Sequence, residues 1–578
     1  MNSSIRVSPA VMLLALIICL ASTGYSQAPS QGPTRPQVER DVLPGRGFVP
    51  PPVILSHLTG KVSSTPVQLS ALPTRFDWRE SGMVTSVKNQ GSCGSCYAFA
   101  SLGNIEAKLL IDGEATYDFS ENNAKECNWY EITGWGGGTS CSGGSNYQMA
   151  NWFSKTGTVL ETDDPYVSAD VSCDGGNPYQ KTLLDWRIIC DETIADPAVI
   201  KQYIYDHGPV FTTMYTGGDG GDPAWQAEFS GYDGSYTLYY TGSTEPDHAV
   251  LIVGWDDDLV HAGPTNGGWI VKNSWGTSWG GTCGYGAESG YFTIAYGSAS
   301  IGMWSSYMHD WQDYDSDGNL LYYDEGGFTS SWGYAAADGW GLCSFIQPAT
   351  SYLAQVEFWT NDVTTDVDIY IYDDFNGSTV SNLLASKLNL SYTEAGYHSV
   401  MLDSPPEVTI GEDFYVVIKV TNVTYGYPVV GDYAGPSESN KTYLSEYGTP
   451  GSWFEMGDNN GVDVGIRVRT SVDLPVAVTD VEGPVPSGYS LSHAYPNPFN
   501  LNTTIAYSLE RRGYVELSIY NLMGQRVKTL VSDIMPAGQH SVAWNGTDFA
   551  GKVVASGVYL YQLKTGEFVD SKKLVLLK

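Results

Sequence analysis

Gln90-Gly91-Ser92-Cys93-Gly94-Ser95-Cys96-Tyr97-Ala98-Phe99 runs directly into Ala100-Ser101-Leu102-Gly103-Asn104-Ile105-Glu106-Ala107-Lys108-Leu109-Leu110-Ile111. Apolar residues at 98, 99, 102, 105, 109 and 110 follow a helical period. Asp112-Gly113 supplies a stop. The spacing therefore predicts a helix with Cys96 in its first turn. A cysteine placed there faces the positive end of the helix dipole, which favours thiolate over thiol. The thiolate is the nucleophilic form, so covalent chemistry is expected at Cys96.

Two later stretches bear on that nucleophile. Asp247-His248-Ala249-Val250-Leu251-Ile252-Val253-Gly254-Trp255 places a histidine at the head of an apolar strand. Gly268-Trp269-Ile270-Val271-Lys272-Asn273-Ser274-Trp275-Gly276 is a second strand running into a polar turn. A histidine before a strand is usually structural, and His207 and His261 are competing candidates in the same region. His248 is selected because it follows Cys96 by roughly 150 residues and stands shortly before Asn273. With Cys93-Gly94-Ser95-Cys96-Tyr97, these motifs make residues 73–300 resemble the papain-family cysteine peptidases. Leu72-Pro73-Thr74-Arg75-Phe76-Asp77-Trp78, Phe119-Ser120-Glu121 and Cys141-Ser142-Gly143-Gly144 add to the resemblance.

The resemblance implies an α+β two-lobed peptidase, with a helical left lobe and a β-barrel-like right lobe. It implies that Cys96 attacks a peptide carbonyl and that His248 pairs with the thiolate and protonates the leaving amine. Asn273 would orient the imidazole and Trp275 would shield that contact. Gln90 and the Cys96 backbone N–H would bind the oxyanion. Gly143 and Gly144 would line the substrate cleft, where glycine admits close backbone approach. Ser145, Asn146 and Ala249 would approach the main side-chain pocket. Disulfides Cys93–Cys141 and Cys127–Cys173 are likewise implied; a Cys190–Cys283 pair is a guess that leaves Cys343 over. Gly280-Gly281-Thr282-Cys283-Gly284-Tyr285-Gly286 is inserted relative to the simple family pattern.

The chain has 29 basic and 64 acidic residues, a net charge of -35. That balance argues against nucleic acid and anionic membrane as partners. Arg6 followed by the apolar run 11–20 and small residues reads as a secretory signal peptide over residues 1–26. The run is too short for a membrane span in the mature form. The expected location is secreted or cell-surface, where disulfides form. Residues 27–72 are rich in Pro and Gln and read as a leader or propeptide, with a plain linker as the alternative. Papain-like zymogens usually carry a longer, helical prosegment, and no such helices are evident here.

Residues 305–472 carry no catalytic motif. Alternating runs such as Val367-Asp368-Ile369-Tyr370-Ile371-Tyr372 and Phe414-Tyr415-Val416-Val417-Ile418-Lys419-Val420 predict strands. They resemble the lectin-like β-sandwich found after some prokaryotic papain-like domains, so carbohydrate is one candidate partner beside a purely structural role. Asp313-Tyr314-Asp315-Ser316-Asp317-Gly318, with Asp324 at the twelfth position, has the spacing of a calcium loop and is weighed against an acidic turn. The peptidase chemistry itself requires no cofactor. After a linker at 473–488, residues 489–578 form a second all-β sandwich. It resembles the Ig-like C-terminal sorting domain of type IX secretion, which implies outer-membrane secretion machinery as a partner. The reading is a secreted cysteine endopeptidase acting on proteins or peptides. The alternatives are a non-catalytic adhesin or glycan-binding protein, and an exopeptidase or transpeptidase on the same fold.

Overall fold

The computed structural model describes residues 32–34, most of 47–61, 72–473 apart from 134–137, 219–220 and 243, and most of 488–576. The expected signal peptide and the linker at 474–487 lie outside the described residues. The first lobe is built on α1 (Cys96–Ile111), α2 (Glu121–Cys127), α3 (Trp129–Thr133) and α4 (Asn146–Lys155), preceded by the short strand β1 (Arg75–Asp77). Helix α1 is buried on almost every side, which explains a sequence with few charges and small residues at 98, 100, 101, 103 and 107. Disulfides Cys93–Cys141 and Cys127–Cys173 tie its approach and α2 to the loops beside them, as the resemblance implied.

The second lobe contains β2 (Lys181–Ile188), α5 (Pro197–His207), β3 (Val210–Met214), α6 (Pro223–Ser230), β4 (His248–Asp256), β5 (Gly268–Lys272), β6 (Tyr291–Ala295) and β7 (Met303–Asp313). The antiparallel order β6-β5-β4-β3-β7-β2 buries Ile252, Trp255, Trp269, Val271 and Phe292. β7 begins where the sequence suggested a new domain, yet it pairs with β2 and β3. The first sheet therefore extends to residue 313, past the expected boundary at 300.

Next come β8 (Leu320–Leu321), β9 (Ser330–Trp332), β10 (Asp338–Ile346), β11 (Ser351–Thr360), β12 (Thr365–Phe375), β13 (Val380–Tyr392) and β14 (Ala395–Met401). They are followed by β15 (Glu407–Val408), β16 (Asp413–Asn422), β17 (Val429–Asp432), β18 (Thr442–Ser445), β19 (Phe454–Glu455), β20 (Asp463–Val464) and β21 (Ile466–Ser471). One six-stranded sheet, β13-β12-β16-β10-β18-β19, faces β14-β11-β21-β8. Alternate residues, among them Val356, Phe358, Ile369, Ile418 and Val468, fill the space between them. β14 also pairs with β2, so one twelve-stranded sheet runs from the second lobe into the sandwich. Residues 488–576 form separate three- and four-stranded sheets around Leu517, Ile519, Trp544, Tyr561 and Leu563.

The calcium reading does not survive. Asp324 is wholly buried and accepts from Arg467 Nε at 2.8 Å and from its second terminal nitrogen at 2.8 Å. Arg467 also donates to Asn151 Oδ1 at 2.5 Å and Ser154 Oγ at 3.0 Å on α4, so the pair joins the sandwich to the helical lobe. Asp313 pairs with Lys181. Asp315 accepts the Asp317 N–H at 2.9 Å in an exposed turn. Spacing alone mistook a folding ion pair and an acidic turn for one ligand set. Cys190 and Cys283 also remain unpaired, because the Cys190 thiol donates to Gly302 O inside the second lobe while Cys283 lies near Arg79.

Candidate active site

Three elements converge on Cys96. The nucleophile opens α1, behind a turn held by Cys93–Cys141. His248 opens β4, and the next residue, Ala249, donates its N–H to Cys96 Sγ at 3.2 Å. Asn273 follows β5 directly, and β5 pairs with β4. That pairing brings Asn273 Oδ1 to 2.8 Å from His248 Nε2. Oδ1 also accepts the Ser274 N–H at 2.8 Å, which fixes the amide orientation. An acceptor at Nε2 requires the proton there and leaves Nδ1 to exchange a proton with a thiol. The Trp275 ring lies 5.2 Å from the imidazole and packs on Phe229 and Trp279.

Gln90 is buried beside them. Its Nε2 donates to Cys93 O at 2.8 Å, and its Oε1 accepts from Ser274 Oγ at 2.6 Å. The Gln90 N–H donates to Ser274 O at 2.8 Å. The segment before the nucleophile and the segment after Asn273 are thus locked together, which leaves the second Nε2 proton of Gln90 free of those bonds.

The leader lies across this site. Gly47 sits over the nucleophile so closely that an added Cβ would stand 2.8 Å from Cys96 Sγ. Phe48 N–H donates to Asp247 O at 3.1 Å, and Val49 N–H donates to Gly144 O at 2.9 Å. Phe48 is fully buried against Trp304. Val49 and Pro50 to Pro52 line a cavity of about 80 Å³ with Gly143, Gly144 and Ser145. Gly144 must be glycine: a Cβ there would meet Gln148 Oε1 at 2.6 Å and the Tyr97 ring at 2.7 Å.

This cover sets the electrostatics. Burial pushes the Cys96 thiol up to about 12, opposed by the Ala249 N–H. Burial also lowers His248, opposed by its bond to Asn273. In the covered state burial thus favours the neutral forms of both groups, against the pull of the helix dipole. Below it lies an ion cluster. Lys88 is held 3.2 Å from Glu106, 2.7 Å from Asp118 and 2.9 Å from Glu121. Burial opposes its charge, but Glu106 and Glu121 outweigh burial and hold its pKa above the ordinary lysine range. Burial raises Glu121 to about 8 against the pull of Lys88. Lys272, next to Asn273, is lowered by burial and donates to Thr85 Oγ1 at 3.1 Å.

Gln90, Cys96, His248, Asn273, Trp275, Gly143 and Gly144 are therefore gathered at one site. Ala249 contributes its backbone N–H and borders a small cavity with Phe99 and Gly103. Ser145 caps α4 by accepting from the Gln148 N–H and borders the leader cavity. Asn146 does not reach the cleft. It is buried and donates to Ser306 Oγ at 2.9 Å, because the first turn of α4 points it at β7. His207 and His261 lie elsewhere, against His309 and Gly267 respectively. Sequence reasoning missed Lys88, Glu106, Glu121 and Lys272. A glutamate inside so apolar a helix as α1 was the signal, since a buried charge requires partners.

Residues 72–309 match the family described as papain family cysteine protease, 320–469 a lectin like domain, and 502–567 the FlgD Ig-like domain. The chain is 31% identical over 231 residues to a cathepsin L-like proteinase of Fasciola hepatica, covering 39% of this chain and 61% of that protein. It is 30% identical over 248 residues to procathepsin L of Mus musculus, covering 41% and 65%. The chain spans less than two thirds of the length of these curated relatives. A solved structure of the cysteine protease and lectin-like domains of Cwp84, a surface layer associated protein of Clostridium difficile, matches over 70% of this chain and 90% of that one. Its TM-score is 0.58 at 19% identity, a likeness of fold. The fold is papain-like with additional all-β domains.

Proposed function

We propose that the protein is an exported cysteine endopeptidase that hydrolyses peptide bonds in proteins or peptides. Cys96 is the nucleophile, His248 the proton carrier, Asn273 its orienting partner, and Gln90 with the Cys96 N–H the oxyanion donors. The observation that carries the reading is the 2.8 Å contact between His248 and Asn273 beside a sulfur that receives the Ala249 N–H. In the first step Sγ bonds to the substrate carbonyl carbon while the proton passes through His248 to the leaving amine. Water then cleaves the thioester, and the proton returns to sulfur.

The leader is the internal cover of this site, since Gly47 excludes a substrate carbonyl from Cys96. The fold 488–576 is proposed to direct export as a sorting domain. Deleting residues 489–578 should then retain the protein in the cell; unchanged secretion would refute that part. The peptidase is tested with end-capped fluorogenic peptides under mild reductant after leader removal, with Cys96→Ala in parallel. Cleavage by the parent alone is expected. Equal cleavage by Cys96→Ala would sink the assignment.

A further inference from the structure

The described residues of the leader form little regular structure. Among its described residues the one helical element is the short turn Ser56–Leu58. A segment of this kind loses chain entropy when it is laid across a cleft, so something outside it must hold it there.

Its anchors lie on the β-sandwich, on both sides of the nucleophile. Upstream, Thr34 and Gly333 exchange backbone hydrogen bonds of 2.9 and 3.2 Å just past β9, and Gly32 lies against the Phe454 ring on β19. Downstream, His57 lies flat on Tyr425, with ring centroids 3.5 Å apart and 2° between the planes. His57 Nε2 donates to Asn361 O at 2.7 Å. Lys61 Nζ donates to Thr424 Oγ1 at 2.7 Å and stands 3.9 Å from the buried carboxylate of Asp362. Between these anchors, Val53, Leu55 and Leu58 enter a core shared by the helical lobe and the sandwich residues Phe328, Trp359 and Val430. Outside the cleft the peptidase side adds one polar contact among those described, the Leu55 N–H to Asp191 Oδ2 at 2.7 Å.

We propose that the β-sandwich is the clasp that keeps the leader across the cleft, with the His57–Tyr425 stack and its Asn361 hydrogen bond as the catch. This assigns the sandwich a peptide-holding function, and it rests on the leader being the cover of Cys96. It has a consequence for activation. A cut after Lys61 would leave the leader bound through every contact named above. The site would open only when the catch lets go.

The test uses the full chain and does not depend on peptidase activity. Iodoacetamide is applied, and alkylation of Cys96 is followed by mass spectrometry. The half-buried Cys283 serves as an internal reference. In the parent, Cys96 should react far more slowly than Cys283. His57→Ala should speed Cys96 about tenfold, the worth of one stacked ring and its hydrogen bond, and Tyr425→Ala, which leaves the Asn361 bond in place, by a smaller factor. The double variant should gain little beyond His57→Ala, since that change already removes the stack. Tyr370→Ala, at a ring that packs with Trp340 outside the sandwich core, should change nothing. His57→Ala alters the leader alone, so it keeps the test open if Tyr425→Ala disturbs the sandwich. Parent-like rates in both variants would overturn the clasp while leaving the cover intact. A parent in which Cys96 reacts as fast as Cys283 would overturn the cover and the clasp with it.

Discussion

Arg467→Met puts the joint between the peptidase and the sandwich to the test. The guanidinium is fully buried and bonded to Asp324, Asn151 and Ser154. Its removal strands the Asp324 carboxylate, which among the described residues keeps the Trp359 Nε1–H at 3.2 Å. Breaking a buried ion pair by deleting one partner costs about 3–5 kcal/mol, because the remaining charge stays out of water. For a united body of this size, that corresponds to a fall of roughly 5 °C in its thermal transition. The double variant Arg467→Met with Asp324→Leu removes the stranded charge and should recover most of the loss. Differential scanning calorimetry of the full chain, with and without calcium, reads both effects. The parent should be indifferent to calcium, since Asp324 is already engaged. A transition unmoved by Arg467→Met, or a parent stabilised by calcium, would refute the reasoning.

The catalytic contacts predict that Asn273→Ala lowers kcat on the order of tenfold to a hundredfold with a small change in KM, from the loss of one hydrogen bond to the imidazolium. An unchanged kcat in steady-state assays would remove Asn273 from the site. The seam between β2 and β14 predicts acid lability. Burial pushes His207 down to about 3, and His309 and His398 down to about 4, among Asp185, Arg187, Lys108, Asp112, Asp310 and Glu394. Their unfolded values are near 6.5, so the unfolded chain binds more protons below that pH. The stability they contribute is full above about pH 6.5 and is lost as the pH falls toward 4. Melting temperatures across that window should drop steeply, and a flat profile would contradict the assignment.

The clustering of the proposed catalytic residues was legible because each is tied to local grammar. Cys96 heads a helix whose apolar period is plain, and His248 and Asn273 flank two strands whose pairing fixes their distance. The specificity residues were less legible for a geometric reason. Asn146 sits one residue after a helix cap, and a rotation of one position on a helix turns a side chain from the cleft to the core. The calcium loop failed because spacing reports which carboxylates could meet, while Arg467, far along the chain from Asp324, decides which one is taken.

The domain boundary failed on similar grounds. β7 reads as an ordinary alternating strand, and nothing in its own residues says whether β2 or a later strand will pair with it. Once β7 pairs with β2 on one edge and β14 takes the other, peptidase and sandwich share a sheet. A hinge between them would then have to break strand pairing and expose Trp186, Trp359 and Tyr397. Rigidity at this seam is what lets the sandwich bear on the cleft at all. Asn361 and Tyr425 can hold a leader over Cys96 only because the sheet that carries β11 is the sheet that carries His248.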